Sequence, residues 1–392
     1  MPRPPAEIEL GEEQALYFRA RRGHLAGRGA GDAAAAARAI LGAQAQQLAP
    51  SLLALSQRAA RRPAAARLEP RLLDGERDLV RTWGQRETLH VYDAAADWGD
   101  VVAAREQWVP GGRRGALPPA ALVDQAQDLL EAAGAPVTRR DLYPLVPKSF
   151  LREVEAKVGP GDAAWRLAAG RLLWRLALRG DACMAGKVGT EQAYAARRLW
   201  FPDLGWDPPP PVTAATRLTG RYLAAYGPAT VTDVAHFFGA RVREARVWID
   251  ALAAQSALVP VSCGGRNGLV ALARDARELK KKPPAGARQW PLRLLPLWDS
   301  MLMGHADKTW TVPAAADQKL VWRRAAFVCA AVVLRGRIVA TWSHAQRAGR
   351  LEMELSPLSG WRSAKHAAAV RREARAVATH LGLQEVVVTV AG

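Results

Sequence analysis

Apolar residues first fall at helical spacing between Glu12 and Arg22, where Leu16, Tyr17 and Phe18 are followed by Arg19, Arg21 and Arg22, which predicts a helix with one packed face. A glycine-rich loop, 23–31, ends at Asp32, an N-cap for the alanine-rich helix that leads into Leu41. Leu52 to Arg58 reads as another helix. The period then changes. Asp74-Gly75 predicts a turn before the strand Leu79-Val80-Arg81-Thr82-Trp83, and Gly84-Gln85 a second turn before Thr88-Leu89-His90-Val91-Tyr92.

Two short strands joined by a tight turn, after two or three helices, is the order of a winged helix-turn-helix. Similar punctuation recurs. Residues 116–145 predict a helix, a turn at Gly134 to Val137 and a second helix capped by Thr138; 163–178 is helical; and the glycine-punctuated run 180–190 suits a second wing. After the linker Asp207-Pro208-Pro209-Pro210-Pro211, helices are expected over 216–226, 231–238 and 242–255. Strands 258–261 and 269–272 then flank Gly264 to Gly268 as a hairpin. Beyond Lys280-Lys281-Lys282-Pro283-Pro284, read as a solvated linker, the pattern becomes mostly β. Strands are expected at 293–297, 319–322, 326–334, 337–342, 351–355 and 385–390, interrupted by a helix over 363–380.

The expected fold class is therefore α+β: tandem winged helix-turn-helix units with a small C-terminal β domain. The boundaries are 1–115, 116–206, 212–279 and 285–392. The repetition is architectural, because the units differ in length.

Charge adds a partner. The 55 Lys and Arg outnumber the 37 Asp and Glu, giving a formal net charge of +18, which favours a polyanion such as a phosphate backbone. No apolar run approaches a membrane span, and the amino terminus MPRPPAEIEL lacks a signal-peptide core, so a cytoplasmic protein without a membrane partner is expected. Cys183, Cys263 and Cys329 lie far apart, none beside a His at metal-ligand spacing. They are expected to be small buried hydrophobes, and no metal or cofactor is expected.

The stretch Leu41 to Pro50 holds two glutamines that differ in meaning with backbone conformation. In an extended chain Gln44 and Gln46 share one face and Ala45 points inward, whereas on a helix the two would diverge by about 200°. The extended form is favoured by Gly42 and Pro50. The alternative is a solvated face of a helix running on from Asp32.

The Gln44-Ala45-Gln46 run, Leu79 to Trp83 with Arg86-Glu87-Thr88-Leu89-His90, Arg221-Tyr222-Leu223 with Tyr226-Gly227-Pro228-Ala229-Thr230, and Leu294 to Asp299 with Gly304-His305 together resemble the AlkZ and YcaQ type of winged-helix DNA glycosylases. The similarity runs in order through nearly the whole chain. It implies three winged-helix units and a small β-barrel around a basic channel, with Gln44 and Gln46 as the catalytic pair. It also implies, as substrate, double-stranded DNA carrying bulky alkylated purines or crosslinks made by bacterial toxins. A monomer is expected. Two positions depart from the family pattern: Glu87 stands where Gly is usual, and Trp298 where Phe is commoner.

An amide is a poor general base, but a purine alkylated at N7 is already a cationic leaving group and needs no acid. What remains is to hold water against the sugar and stabilise an oxocarbenium-like transition state with fixed dipoles, which two carboxamide oxygens can do.

Candidate DNA contacts are Arg81 and Arg86 on the first wing, His90, Trp298, His305 and Lys308. Each has a plainer reading. The arginines suit a solvated face, His90 a locally hydrogen-bonded wing residue, Trp298 the core, and His305 with Asp307-Lys308 a surface turn. Asp299 suits a cap or brace. A sequence-reading winged-helix regulator remains the alternative function, since the fold alone does not choose.

Overall fold

The computed structural model describes residues 7–73, 77–108 and 117–391. The turn expected at Asp74-Gly75 lies outside them, as does Ala116. The architecture is mixed α and β, and the chain forms two compact units, Met1–Glu69 with Thr216–Gly392, and Pro70–Ala215.

In the first unit, the helix Glu12–Arg22 forms as its pattern predicts, with acidic residues in its first turn and basic ones in its last, matching the helix dipole. Asp32 caps the helix Ala33–Ala39 by accepting from Ala35 N at 2.8 Å. The next helix, Leu48–Arg58, starts four residues earlier than expected. Pro50 sits inside its first turn rather than ending the preceding strand, because the missing N–H falls where helical donors have no intrahelical partner anyway.

Helices Val231–Phe238 and Val242–Ala254 are followed by the hairpin Leu258–Cys263 with Arg266–Leu272. A strand the hydrophobic pattern did not announce, Ile8–Leu10, pairs parallel with the first hairpin strand, Ile8 against Val261. Three residues are too few to display a period.

The carboxyl-terminal strands form a five-stranded sheet in the order Glu385–Val390, Arg350–Pro357, Arg337–Arg347, Ala330–Leu334, Arg293–Leu295. The barrel that the resemblance implies is not closed, for the first and last strands of this order do not pair. Helix Ser363–His380 has the bounds read from the sequence, and it packs Val370, Ala374, Val377 and Ala378 onto one face of the sheet. The strand expected at 319–322 is instead the end of a helix, Ala315–Val321, whose Val321 is buried against the core.

Alternation decides which core each strand residue enters. Leu294, Ala330 and Val332 face the core beneath helix Ser363–His380, while Leu295, Ala331 and Val333 face the core built with the first helix and the hairpin. The sheet is thus a wall between two apolar interiors. Each fully buried leucine contributes about 1.5–3 kcal/mol.

The second unit orders its strands Leu89–Asp93, Leu79–Trp83, Ala182–Val188, Glu191–Ala196. Helix Asp162–Arg179 buries Ala168, Leu172, Leu173 and Leu176 beneath them. Thr138 caps the helix Arg139–Leu142 through a reciprocal box with Asp141.

One buried charge pair ties distant parts of the first unit. Arg58, at the end of helix Leu48–Arg58, donates to both carboxylate oxygens of Asp299 at 2.8 and 2.7 Å, with both side chains at most 1 % exposed. Removing one partner strands the other charge, so Arg58→Met should cost about 3–5 kcal/mol of stability. Arg58→Met with Asp299→Asn should recover part of that loss. A urea-denaturation difference below about 1 kcal/mol for the single variant would show that the pair does not brace the fold.

Candidate active site

The two glutamines sit at the exit of a strained turn. Helix Ala33–Ala39 ends in Ile40; Leu41 and Gly42 then take φ of +52° and +85°, and Gly42 N donates back to Ala37 O at 2.9 Å. Glycine accepts the left-handed region freely, but a leucine there costs on the order of 1–3 kcal/mol. The chain next extends through the strand Ala43–Gln44, bends at Gln46, and enters helix Leu48–Arg58. The helical alternative for this run does not occur. Ala45 is fully buried, Gln44 is 7 % exposed, and Gln46 is exposed.

Side chains from far along the sequence hold this turn by its carbonyls. Tyr226 OH donates to Ile40 O at 2.8 Å, Ser300 Oγ to Gly42 O at 3.0 Å, and an Arg221 guanidinium nitrogen to Arg38 O at 3.0 Å. Tyr226 is in turn fixed. Its own carbonyl accepts from Arg19 Nε at 3.0 Å and from His305 Nε2 at 2.9 Å, and Arg19 also donates to Pro228 O at 2.7 Å. Tyr222 OH, buried among rings, donates to Gly304 O at 2.7 Å. Gly304 must be glycine here, since a Cβ would lie 2.7 Å from the Tyr226 ring. Asp299 does what a brace does, capping Met301 N at 3.0 Å while it pairs with Arg58.

Segments that were separate motifs in the sequence therefore meet around one turn: Ile40 to Gln46, Arg221 to Pro228, and Asp299 to His305. The resemblance motifs signalled this group. Arg19, Arg58 and Ser300 were missed, because nothing local marks a residue whose partner is some 200 positions away.

The remaining candidates fall into different surroundings. His305 is buried rather than on a surface turn or a DNA-facing loop. Burial first, and then the nearby Arg19 charge, hold its ring well below the usual imidazole pKa. His90 is 1 % exposed and also neutral: its Nδ1 donates to Thr88 O at 3.0 Å while its Nε2 accepts from Arg86 at 3.4 Å. Burial and the Arg86 charge lower its pKa likewise. Its ring is committed to the interior instead of being offered to a phosphate.

Arg81 is mostly buried, donating to Gln192 at 3.3 Å, and desolvation lowers its pKa. Trp298 is half-buried, its indole N–H donating to Ala326 O at 3.2 Å and its ring edge-on to Phe327. Lys308 reaches His305 O and His236. Arg86 and Glu87 both take left-handed φ, +56° and +55°. That backbone is what a glycine at position 87 adopts without strain, which gives a physical meaning to the departure seen in the sequence.

Among the described residues no group of three His, Cys, Asp or Glu is placed to hold a metal ion, and the three cysteines are buried and unpaired. No described helix is long and apolar enough to cross a membrane.

The AlkZ-like DNA glycosylase model matches residues 37–380, from within helix Ala33–Ala39 to the end of the last helix. The chain belongs to the AlkZ-like DNA glycosylase family. It is an enzyme of DNA repair that acts on DNA, and the reading as a transcriptional regulator falls away. A Streptomyces sahachiroi protein named interstrand DNA cross-link repair glycosylase is 27 % identical over 273 residues, covering 67 % of this chain and 70 % of its own. The solved structure of Streptomyces sahachiroi DNA glycosylase AlkZ superposes with a TM-score of 0.81 at 24 % identity, covering 98 % of this chain and 100 % of that one. At that identity the superposition speaks for the AlkZ fold.

His305 carries a pH signature. Its folded pKa lies below the ordinary value of 6.5, so the unfolded chain takes up the proton first as pH falls. The stability it lends is complete above about 6.5 and is lost as pH drops from there toward the depressed folded value. Urea midpoints should therefore fall between pH 7.5 and 5. His305→Gln, which keeps a donor for Tyr226 O without a titrating ring, should flatten that slope. An unchanged slope in the variant would remove His305 as its source.

Proposed function

We propose that this glycosylase hydrolyses the N-glycosidic bond of cationic N7-alkylated purines in double-stranded DNA, bulky adducts and interstrand crosslinks included. The name of the Streptomyces relative supports the crosslink class, and we read the removal of adducts made by bacterial toxins as its place in self-resistance. The observation that carries the mechanism is the held extended segment Ala43–Gln44, with Gln44 nearly buried and Gln46 exposed.

In this reading Gln44 and Gln46 present carboxamide oxygens to a water at C1′. The alkylated base departs neutral and takes the bonding electron pair, water adds to the sugar, and its proton passes to solvent. The product is an abasic site, and the reaction is monofunctional, with no strand cleavage. Amide dipoles suffice because the leaving group is activated before the enzyme meets it.

We read the three hairpins at 79–93, 182–196 and 258–272 as wings of tandem winged-helix units over 1–115, 116–206 and 212–279. Arg81, Arg86, Trp298 and Lys308 are the DNA contacts retained in this proposal, and the enzyme works as a cytoplasmic monomer.

The test is release of 7-alkylguanine from a duplex, followed by cleavage at the abasic site. Gln44→Ala with Gln46→Ala should lower the single-turnover rate by about a hundredfold or more, the scale of losing a preorganised polar group, while duplex affinity stays near wild type. Undiminished release by the double variant would remove the catalytic assignment.

A further inference from the structure

A cleft of about 460 Å³ opens in the first unit, beside the turn that leads to Gln44. Arg21 and Arg22 enter it from the end of the first helix, Arg28 from the following loop, Arg38 from the end of helix Ala33–Ala39, and Arg221 from helix Pro211–Tyr226. Among the described residues of its lining Glu278 is the one carboxylate, pairing with Arg21 at 3.3 Å and Arg22 at 3.4 Å, and Arg22 is also paired with the buried Asp275 behind the lining. Arg28 and Arg38 are exposed. The loop that carries Arg28 is pinned from within, since His24 Nδ1 donates to Arg28 O at 3.1 Å.

The lining selects the ligand. Apart from the charged groups and His24, its described residues are Gly29 and alanines, with no aromatic side chain and no large aliphatic one. A stacked base or an apolar ligand would find no wall there. Guanidinium forks around small residues suit a phosphate, which accepts paired N–H donors and needs close approach.

The cleft also shares a scaffold with the turn. Arg221 holds Arg38 O, and Tyr226, farther along the same helix, holds Ile40 O. We propose that this cleft seats a backbone phosphate of the DNA, anchoring the duplex on the same rigid elements that fix Gln44. The assignment rests on the chain acting on DNA and names where the backbone is gripped.

Two variants of opposite sign test it, with affinity for an undamaged duplex measured across a salt series by fluorescence anisotropy. Arg28→Gln with Arg38→Gln leaves the main-chain bond at Arg38 O in place and should weaken binding, lowering the salt slope by about 0.9 for each phosphate no longer neutralised. Glu278→Gln removes the carboxylate in the lining, leaving Asp275 on Arg22, and should tighten binding by about twofold or more on the scale of one screened charge near a bound phosphate. A merely structural role for these side chains does not give the second sign.

Wild-type affinity and slope in both variants would overturn the assignment. So would a loss confined to a free deoxynucleoside monophosphate, measured by calorimetry, with duplex affinity intact, since the cleft would then serve a free nucleotide. If the wild-type protein binds duplex with the expected salt dependence but releases no alkylpurine, the proposed reaction fails while the cleft stands. If it releases alkylpurine and neither variant changes binding, the cleft fails alone.

Discussion

The turn from Ile40 to Gly42 cannot hold itself. Leu41 in the left-handed region costs on the order of 1–3 kcal/mol, and a single hydrogen bond contributes net only about 1 kcal/mol. The bonds to the carbonyls of Arg38, Ile40 and Gly42 together reach the size of that cost. Those three donors come from two segments remote in sequence, so the conformation of the Gln44 strand is a property of the assembled unit. The position of the amides depends on the packing of helix Pro211–Tyr226 and of the residues after Asp299.

Two arginines inside the same unit solve burial differently. Arg58 meets a carboxylate in a bidentate pair, which fixes helix Leu48–Arg58 against the loop after Leu297. Arg19 has main-chain carbonyls and the face of Trp310, 4.0 Å from its guanidinium carbon. Burial pushes its pKa down to about 10, so it stays charged near neutrality. A retained positive charge at that point adds to burial, the larger cause, in holding His305 beside it neutral. A second cation would meet both desolvation and like-charge repulsion. The carbonyl of Tyr226, accepting from both, is where the two requirements meet.

Long periodic segments were legible in the sequence, and so was the extended start of the glutamine run at Ala43–Gln44, although the chain bends at Gln46 and is helical from Leu48. Helix Ser363–His380 and strand Leu79–Trp83 have the bounds their patterns give, and Asp32 and Thr138 cap where short polar side chains before apolar runs should. The misreadings have identifiable causes. Lys319 to Trp322 has the composition of a strand, yet it closes a helix that buries Val321 against the core. Pro50 looks like a terminator and is a first-turn residue. His90 and His305 have the chemistry of phosphate contacts, but their motif positions are interior. Polarity tells what a side chain can do. Only packing tells which way it faces.

The burial of Gln44 bears on why an amide stands there. A carboxylate 7 % exposed would carry a desolvation penalty that raises its pKa, and whether it was charged would depend on pH and on what else filled the site. A carboxamide keeps the same dipole in every state. In the proposed reaction its weakness as a base matters little, because the base to be expelled is already cationic, and its constancy matters more, because the transition state must find the dipole already oriented. A turn that pins its carbonyls with hydroxyl donors from Tyr226 and Ser300 is matched to such a group, because those donors bring no formal charge to it. On the proposed reaction, the specificity that a strong acid and base would otherwise supply by chemistry resides in the substrate, whose alkylation selects it for departure.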